Sequence, residues 1–314
     1  MNGAADKILI FKPFEEAFAL TKQILFQPFN FEKWLIIGFA AFLTHLNLGG
    51  GYNFNMPLNG NWGTNAQGEQ ESIQSFMEGI TPFVLMAIGL AILIGLMVFI
   101  AFTWVRARGH FIFIDCIVRN SGAIVQPWKE YRAEGNSYFL FLLCFIIGFI
   151  AAIIAIALAV VLPIFLINPN ERGAIAFLPL LSLIIILPAL LLFLSLAQFV
   201  APVMYRRRCA AWAAITDVLA LTGSNLGVFI LYVLFSCVVG IGIGIAMIAL
   251  VCMTCCIAAV PYVGTVMLLP IYVFLQSFSL LFIRQFGPDY DVWAGIPATP
   301  PTPPTPTVPP PLPG

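Results

Sequence analysis

Apolar residues in this chain come in long runs, and short charged returns separate them. A hydrocarbon layer about 30 Å thick is crossed by a helix of about 20 apolar residues. Five runs meet that requirement: Ile80 to Trp104, Tyr138 to Ile167, Ala174 to Tyr205, Leu226 to Val260, and Tyr262 to Ile283. A sixth, Trp34 to Leu46, is short. It reaches full length only if it begins near Phe29, with Lys33 extending its ammonium toward water. The pattern predicts an all-α polytopic membrane bundle of six transmembrane helices over residues 1–284. A disordered tail is expected over residues 285–314.

The returns have a periodicity of their own. Phe11, Phe14, Phe18, Thr21 and Leu25 recur at helical spacing, while Lys12, Glu15, Glu16, Ala19, Lys22 and Gln23 fill the opposite face. That spacing predicts an amphipathic helix lying in the membrane interface. In "WVRARGHFIFIDCIVRN", Arg108, Asp115 and Arg119 share one helical face and Phe111, Ile114 and Val118 another. After the fourth run, Trp212, Ile215 and Leu219 form a stripe beside Asp217. Interfacial helix, outward span, turn and inward span thus follow one another three times. Lys7 and Glu16, Arg106 and Asp115, and Arg208 and Asp217 share one sequence separation, which points to a threefold internal repeat.

Composition removes the soluble alternatives. Of 314 residues, 61% are hydrophobic and 9% charged, and the mean hydropathy is +0.99. Soluble domains carry about 25% charged residues. The formal net charge of zero gives no bias toward nucleic acid, so membrane lipids are the expected partner. The N-terminal apolar stretch, Ile8 to Phe11, is interrupted by Lys12 and does not read as a secretory signal.

Charge placement sets the direction of the spans. Lys and Arg concentrate in cytoplasmic loops. With six spans and both termini in the cytoplasm, every Lys and Arg except Arg172 falls inside. The cytoplasmic anchors then include Arg106, Arg108, Arg206, Arg207, Arg208 and Arg284. The outer loop from Asn47 to Gly79 has Glu69, Glu71 and Glu78 and no base.

"RGHFIFIDCIVRN…PWKEYRAEGN", "VAPVMYRRR…AW" and "IRQFGPDYDVW" together resemble a group of bacterial multi-spanning membrane proteins. These are similar in organisation to the membrane domain fused to some glycerophosphodiester phosphodiesterases. The resemblance covers residues 1 to about 293 and implies an inner-membrane helical bundle. It carries over no catalytic residue. The residues after Ile283 are too few for the ~250-residue barrel such catalysis uses.

Candidate chemistry is sparse. Cys252, Cys255 and Cys256 in "CMTCC" have zinc-like or redox-like spacing, but no His or acid lies nearby in sequence, and packing is the simpler reading. His45 and His110 read as interfacial residues without a zinc set. Gln198 and Gln276 are the strongest polar groups within the spans. They are expected to hydrogen-bond another helix, or else to line a polar path between the fourth and sixth spans. Gly240 and Gly244 have the spacing of a close helix contact, within the chain or in a homo-oligomer. Asp289, Asp291 and Glu134 could gather on the cytoplasmic side and imitate a metal site, although they lack a rigid surround. The tail "PATPPTPPTPTVPPPLPG" has PxxP spacings that could dock a protein partner. No catalytic, metal or cofactor site is expected. A non-enzymatic, lipid-interacting scaffold or accessory protein is the first expectation. A transporter or exporter of an apolar or lipid-like substrate is the second, since no Asp, Glu, Lys or Arg lies inside the five full-length runs to couple ions.

Overall fold

A computed structural model describes residues 11–45, 82–166, 192, 196–253 and 261–294. Among these, every regular element is a helix. In chain order they are α1 (Phe11–Phe26), α2 (Phe31–Thr44), α3 (Pro82–Val118), α4 (Val125–Glu130) and α5 (Arg132–Leu166). They continue with α6 (196–207), α7 (Ala211–Ser224), α8 (Leu226–Met253), α9 (Pro261–Met267) and α10 (Leu269–Arg284). A short 3₁₀ turn, Pro288–Tyr290, follows.

Three helices, α3, α5 and α8, are long and apolar enough to cross a membrane. On that ground the chain is a membrane protein. The outer parts of all three stay bare: Leu85, Ile92 and Met97 on α3, Ile147 and Ile154 on α5, and Ile241 and Ile248 on α8 are exposed. Side chains of this kind are at home in hydrocarbon. The packed core sits at the other end. It is built from Phe111–Ile114 of α3, Tyr138 and Phe141 of α5, Phe199–Tyr205 of α6, Phe229 and Tyr232 of α8, and Phe278–Ile283 of α10.

Several elements depart from the sequence pattern. The stretch from Arg106 to Val118 is no separate interfacial helix. It continues α3 without a break, and Phe111, Ile114 and Asp115 are all buried. The expected division into polar and apolar faces fails because neighbouring helices cover both. The Trp34–Leu46 run forms the 14-residue α2, starting at Phe31 under an N-cap from Asn30. At about 1.5 Å per residue it is shorter than a full span. Lys33 turns inward, donating to Ile24 O at 3.0 Å and Asn120 Oδ1 at 2.6 Å. The last run splits into α9 and α10 at Leu268, because Pro270 has no N–H to continue the ladder. Residues 285–294 are packed, not disordered: Val292 is buried, and Arg206 donates to Ala294 O. The fourth run up to residue 191, Arg172, the loop from Asn47 to Gly79, Cys255, Cys256 and the proline-rich tail lie outside the described residues.

The short helices choose their buried faces by size. In α1 the buried positions are Pro13, Ala17, Thr21, Ile24 and Leu25, while Phe11 and Phe18 point outward. In α7 they are Ala211, Ala214, Ile215, Val218 and Thr222, while Trp212 and Leu219 point outward. Where lipid replaces water, a large apolar side chain gains little by burial, and small ones let backbones approach. Glycines at the seams follow the same logic. A Cβ on Gly109 would meet Leu43 Cβ at 2.6 Å, and one on Gly38 would meet Val266 Cγ2 at 2.9 Å. These seams hold α2 against α3 and α9. By contrast, Gly240 and Gly244 face open space, so they serve no helix contact among the described residues.

Candidate lipid cleft and the charged end

An apolar cleft opens where α1 leans on α8 and α10. Its volume is about 540 Å³, and its walls include Phe14, Phe18 and Phe26 of α1, Gly242 of α8, and Pro270 and Phe274 of α10. Phe14 anchors the floor, edge-on to Phe235, Phe274 and Phe278 at centroid distances of 5.1–6.2 Å. Gly242 leaves the α8 wall hollow, with nothing within 4 Å of where its Cβ would be. Two polar residues line the cleft, Thr21 and Lys22. The Thr21 hydroxyl is satisfied by Ala17 O at 2.7 Å. Lys22 is exposed and supplies the one charge in the lining. A cavity of this size and polarity suits a hydrocarbon chain.

The second construction is a charged network at the packed end. Asp115 is 2% exposed. It accepts from Tyr205 Oη at 2.8 Å and from Tyr131 Oη at 3.4 Å, and pairs with Arg119 Nε at 2.9 Å. Arg119 also reaches both oxygens of Glu130, at 3.0 and 3.1 Å. Glu130 pairs with Arg208, which contacts Glu134 at 3.4 Å and stacks 3.9 Å over the Tyr131 ring. Tyr131 and Tyr205 are themselves stacked. Burial raises the Tyr131 phenol above its ordinary pKa, so it remains a donor. The network fastens α3, α4, α5 and α6 to one another.

The residues singled out in the sequence divide among these features. Arg208 joins the network, and Arg207 pairs with Asp217 of α7. Arg284 holds Asp291 at 3.2 Å, and Arg206 and Arg106 donate to the carbonyls of Ala294 and Thr44. Arg108 lies between Trp104 and Trp128 and donates to Asn136 Oδ1 at 2.9 Å. The equal separations that suggested a repeat have unlike partners: Asp115 meets Arg119, not Arg106, and Asp217 meets Arg207, not Arg208. Gln198 is half-buried on α6, and the Tyr232 hydroxyl belongs to the same polar neighbourhood as Ser236 and Ser279. The Ser236 and Ser279 hydroxyls nevertheless make no hydrogen bond of ordinary geometry. Gln276 is half-buried on α10.

Metal and thiol chemistry gain no support among the described residues. No group of three His, Cys, Asp or Glu side chains is placed to hold a metal. Asp291 is taken by Arg284 and Glu134 by Arg208. Cys252 is a free, exposed thiol. Burial raises the Cys209 thiol against the pull of Arg207, which opposes nucleophile formation. His45 rests on Tyr272 at 4.2 Å and His110 on Tyr138 at 5.7 Å.

Sequence reasoning missed the cleft and the Asp115 network. Phe14, Phe18 and Lys22 were visible on α1, but the wall from α8 was a hydrophobic run like any other. Asp115 was visible as a helical neighbour of Arg119, while Tyr131 and Tyr205 carried no signal that they converge on it.

Residues 10–287 match a family described as a family of unknown function (DUF7544). The chain belongs to that family. No curated protein and no solved structure matches it. Membership therefore fixes kinship across nearly all of the packed helices and leaves the chemistry to the residues themselves.

Proposed function

We propose that this member of the DUF7544 family is a non-enzymatic, lipid-interacting protein of the bacterial inner membrane, acting as a scaffold or accessory protein that seats one acyl chain between α1, α8 and α10. The observation that carries the reading is the apolar cleft of about 540 Å³ with Lys22 as its charged lining residue. The proposed topology has six spans with both termini in the cytoplasm. Its support is the clustering of the basic returns: Lys33 meets Asn120, Arg119 meets Glu130, Arg208 meets Glu130 and Glu134, and Arg206 meets Ala294. Residues from the returns before α2 and after α3, α6 and α10 thus come together at one end of the molecule, in line with a common cytoplasmic side; the first crossing would need more chain than the 14-residue α2, whose Thr44 also lies at Arg106.

Gly242→Trp tests the function, because a Cβ there meets open space in the cleft wall and the indole it carries would compete for the cleft. The variant is expected to fold like the parent in detergent and to lose co-purifying lipid, read by mass spectrometry of protein released from native nanodiscs. Equal lipid retention in the two proteins would refute the cleft as a lipid seat. A second reading, movement of a lipid-like substrate, draws on the helix break at Leu268, which sits beside Pro270 in the cleft wall. It predicts accelerated lipid exchange between leaflets of proteoliposomes, an activity the scaffold reading excludes.

A further inference from the structure

Arg108 is 7% exposed, yet nothing charged answers it among the described residues. Its guanidinium carbon lies 4.3 Å from the centre of the Trp104 ring and 5.1 Å from that of Trp128. One nitrogen donates to Asn136 Oδ1, and Nε is buried without any partner. Arginines 119, 207, 208 and 284 all meet carboxylates. The nearby acid on α5, Glu134, faces Arg208 instead. Arg132, exposed at the start of α5, stands one helical turn before Asn136, the residue that accepts from Arg108, and adds its charge to that of Arg108. The site is therefore a concentration of positive charge held by neutral walls. Those walls are fixed: Trp104 and Trp128 pack edge to face at 5.8 Å, Trp104 Nε1 also donates to Asn136, and Gly135 brings α5 so near that a Cβ would meet Arg108 Cγ at 2.9 Å.

Position identifies the anion that fits. Trp104 closes the uncharged run of α3, where tryptophan marks the boundary between hydrocarbon and headgroups. A guanidinium offers paired N–H donors matched to phosphate oxygens, and stacking keeps it planar and oriented. We propose that Trp104, Arg108, Trp128, Arg132 and Asn136 form a binding site for a phosphate-bearing anion, supplied by the headgroup of an anionic phospholipid in the adjoining leaflet. The site stands on different helices from the acyl-chain cleft and does not depend on it.

The test uses the full-length protein in nanodiscs of phosphatidylcholine alone and of phosphatidylcholine with phosphatidylglycerol. Native mass spectrometry counts retained phosphatidylglycerol. Arg132→Gln, at an exposed position where folding is not at stake, is expected to lower retention about fivefold, the worth of one base at an anionic surface. Lys129→Gln removes an exposed base from the same return and separates a site from general attraction. A site predicts parental retention in Lys129→Gln, and equal losses in both variants would overturn the proposal. Arg108→Lys keeps the charge but loses the planar stack, and is expected to reduce retention as well. In phosphatidylcholine discs, inorganic phosphate is added while Tm is followed. A rise abolished by Arg132→Gln would support the same site and name free phosphate as an occupant. A rise with phosphatidylglycerol alone would support the lipid headgroup. Retention and Tm both indifferent to Arg132→Gln would end the proposal.

Discussion

Asp115 shows how much one side chain can carry in a chain with few charges. Its carboxylate is held by Arg119, Tyr205 and Tyr131, so deleting it takes the shared acceptor from two phenol groups and leaves Arg119 with Glu130 alone. Removing one partner of a buried, hydrogen-bonded pair costs about 3–5 kcal/mol when both are enclosed. Arg119 is 35% exposed, which places Asp115→Ala nearer about 2–3 kcal/mol. The expected result is a clear fall in Tm in detergent, with Asp115→Asn losing less because the amide oxygen can still accept from Tyr205. A Tm unchanged by Asp115→Ala would show that the cluster adds nothing to stability. Much of this was hidden in the sequence. Asp115 and Arg119 stand four apart and their pairing follows from helical geometry, but Tyr205 lies 90 residues away, a separation no local pattern encodes.

At the helix seams and on the short helices α1 and α7, small residues take several of the buried places while large ones such as Phe18 and Trp212 stay outside. Gly109 is the sharpest case. Gly109→Ala would place a methyl 2.9 Å from the Leu43 carbonyl carbon, backbone that cannot rotate aside. Overpacking of this kind costs about 1–3 kcal/mol. Gly95 lies on the same helix with nothing within 4 Å, and Gly95→Ala should stabilise α3 by up to about 1 kcal/mol through helix propensity. Thermal melts of the two variants in one detergent should move in opposite directions; shifts of equal sign would count against the α2–α3 seam. The existence of α1, α3, α5, α7 and α8 was legible from periodicity and apolar length. Their buried faces were not, because the stripe of Phe11, Phe14 and Phe18 marks the apolar side of an interfacial helix without saying that Phe14 alone of the three would reach the core. Ala17 takes a buried place on that helix, and Ala214 does so on α7. The α9–α10 break was foreshadowed by Pro270, though not the residue at which it would fall.

At the scale of the molecule, the charged returns lie together at one end while α3, α5 and α8 carry bare apolar surfaces away from it. Six spans with cytoplasmic termini predict that a cysteine replacing Ser72 is labelled by an impermeant reagent on intact cells. One replacing Ser121, whose N–H donates to Cys116 O within the packed end, should react only after permeabilisation. The reverse pattern would invert the topology. The clustering of the charged returns at one end was legible from the base distribution, since charge asymmetry acts on each loop separately. Nothing in it announced that α1 would pack along α10, because contacts between the two ends of a chain depend on everything that lies between them.

Those distant contacts also impose an order in time. Asp115 meets Tyr205 only after 90 further residues have been made, about 5–18 s at ordinary rates of translation. Trp34 Nε1 donates to Val266 O across 232 residues, and α1 receives its partner last of all. Until then the emerging protein keeps Asp115 and Trp34 in unfinished surroundings. A chain that ends before residue 205 would leave Asp115 with Arg119 and Tyr131 but without the Tyr205 hydroxyl that approaches it most closely.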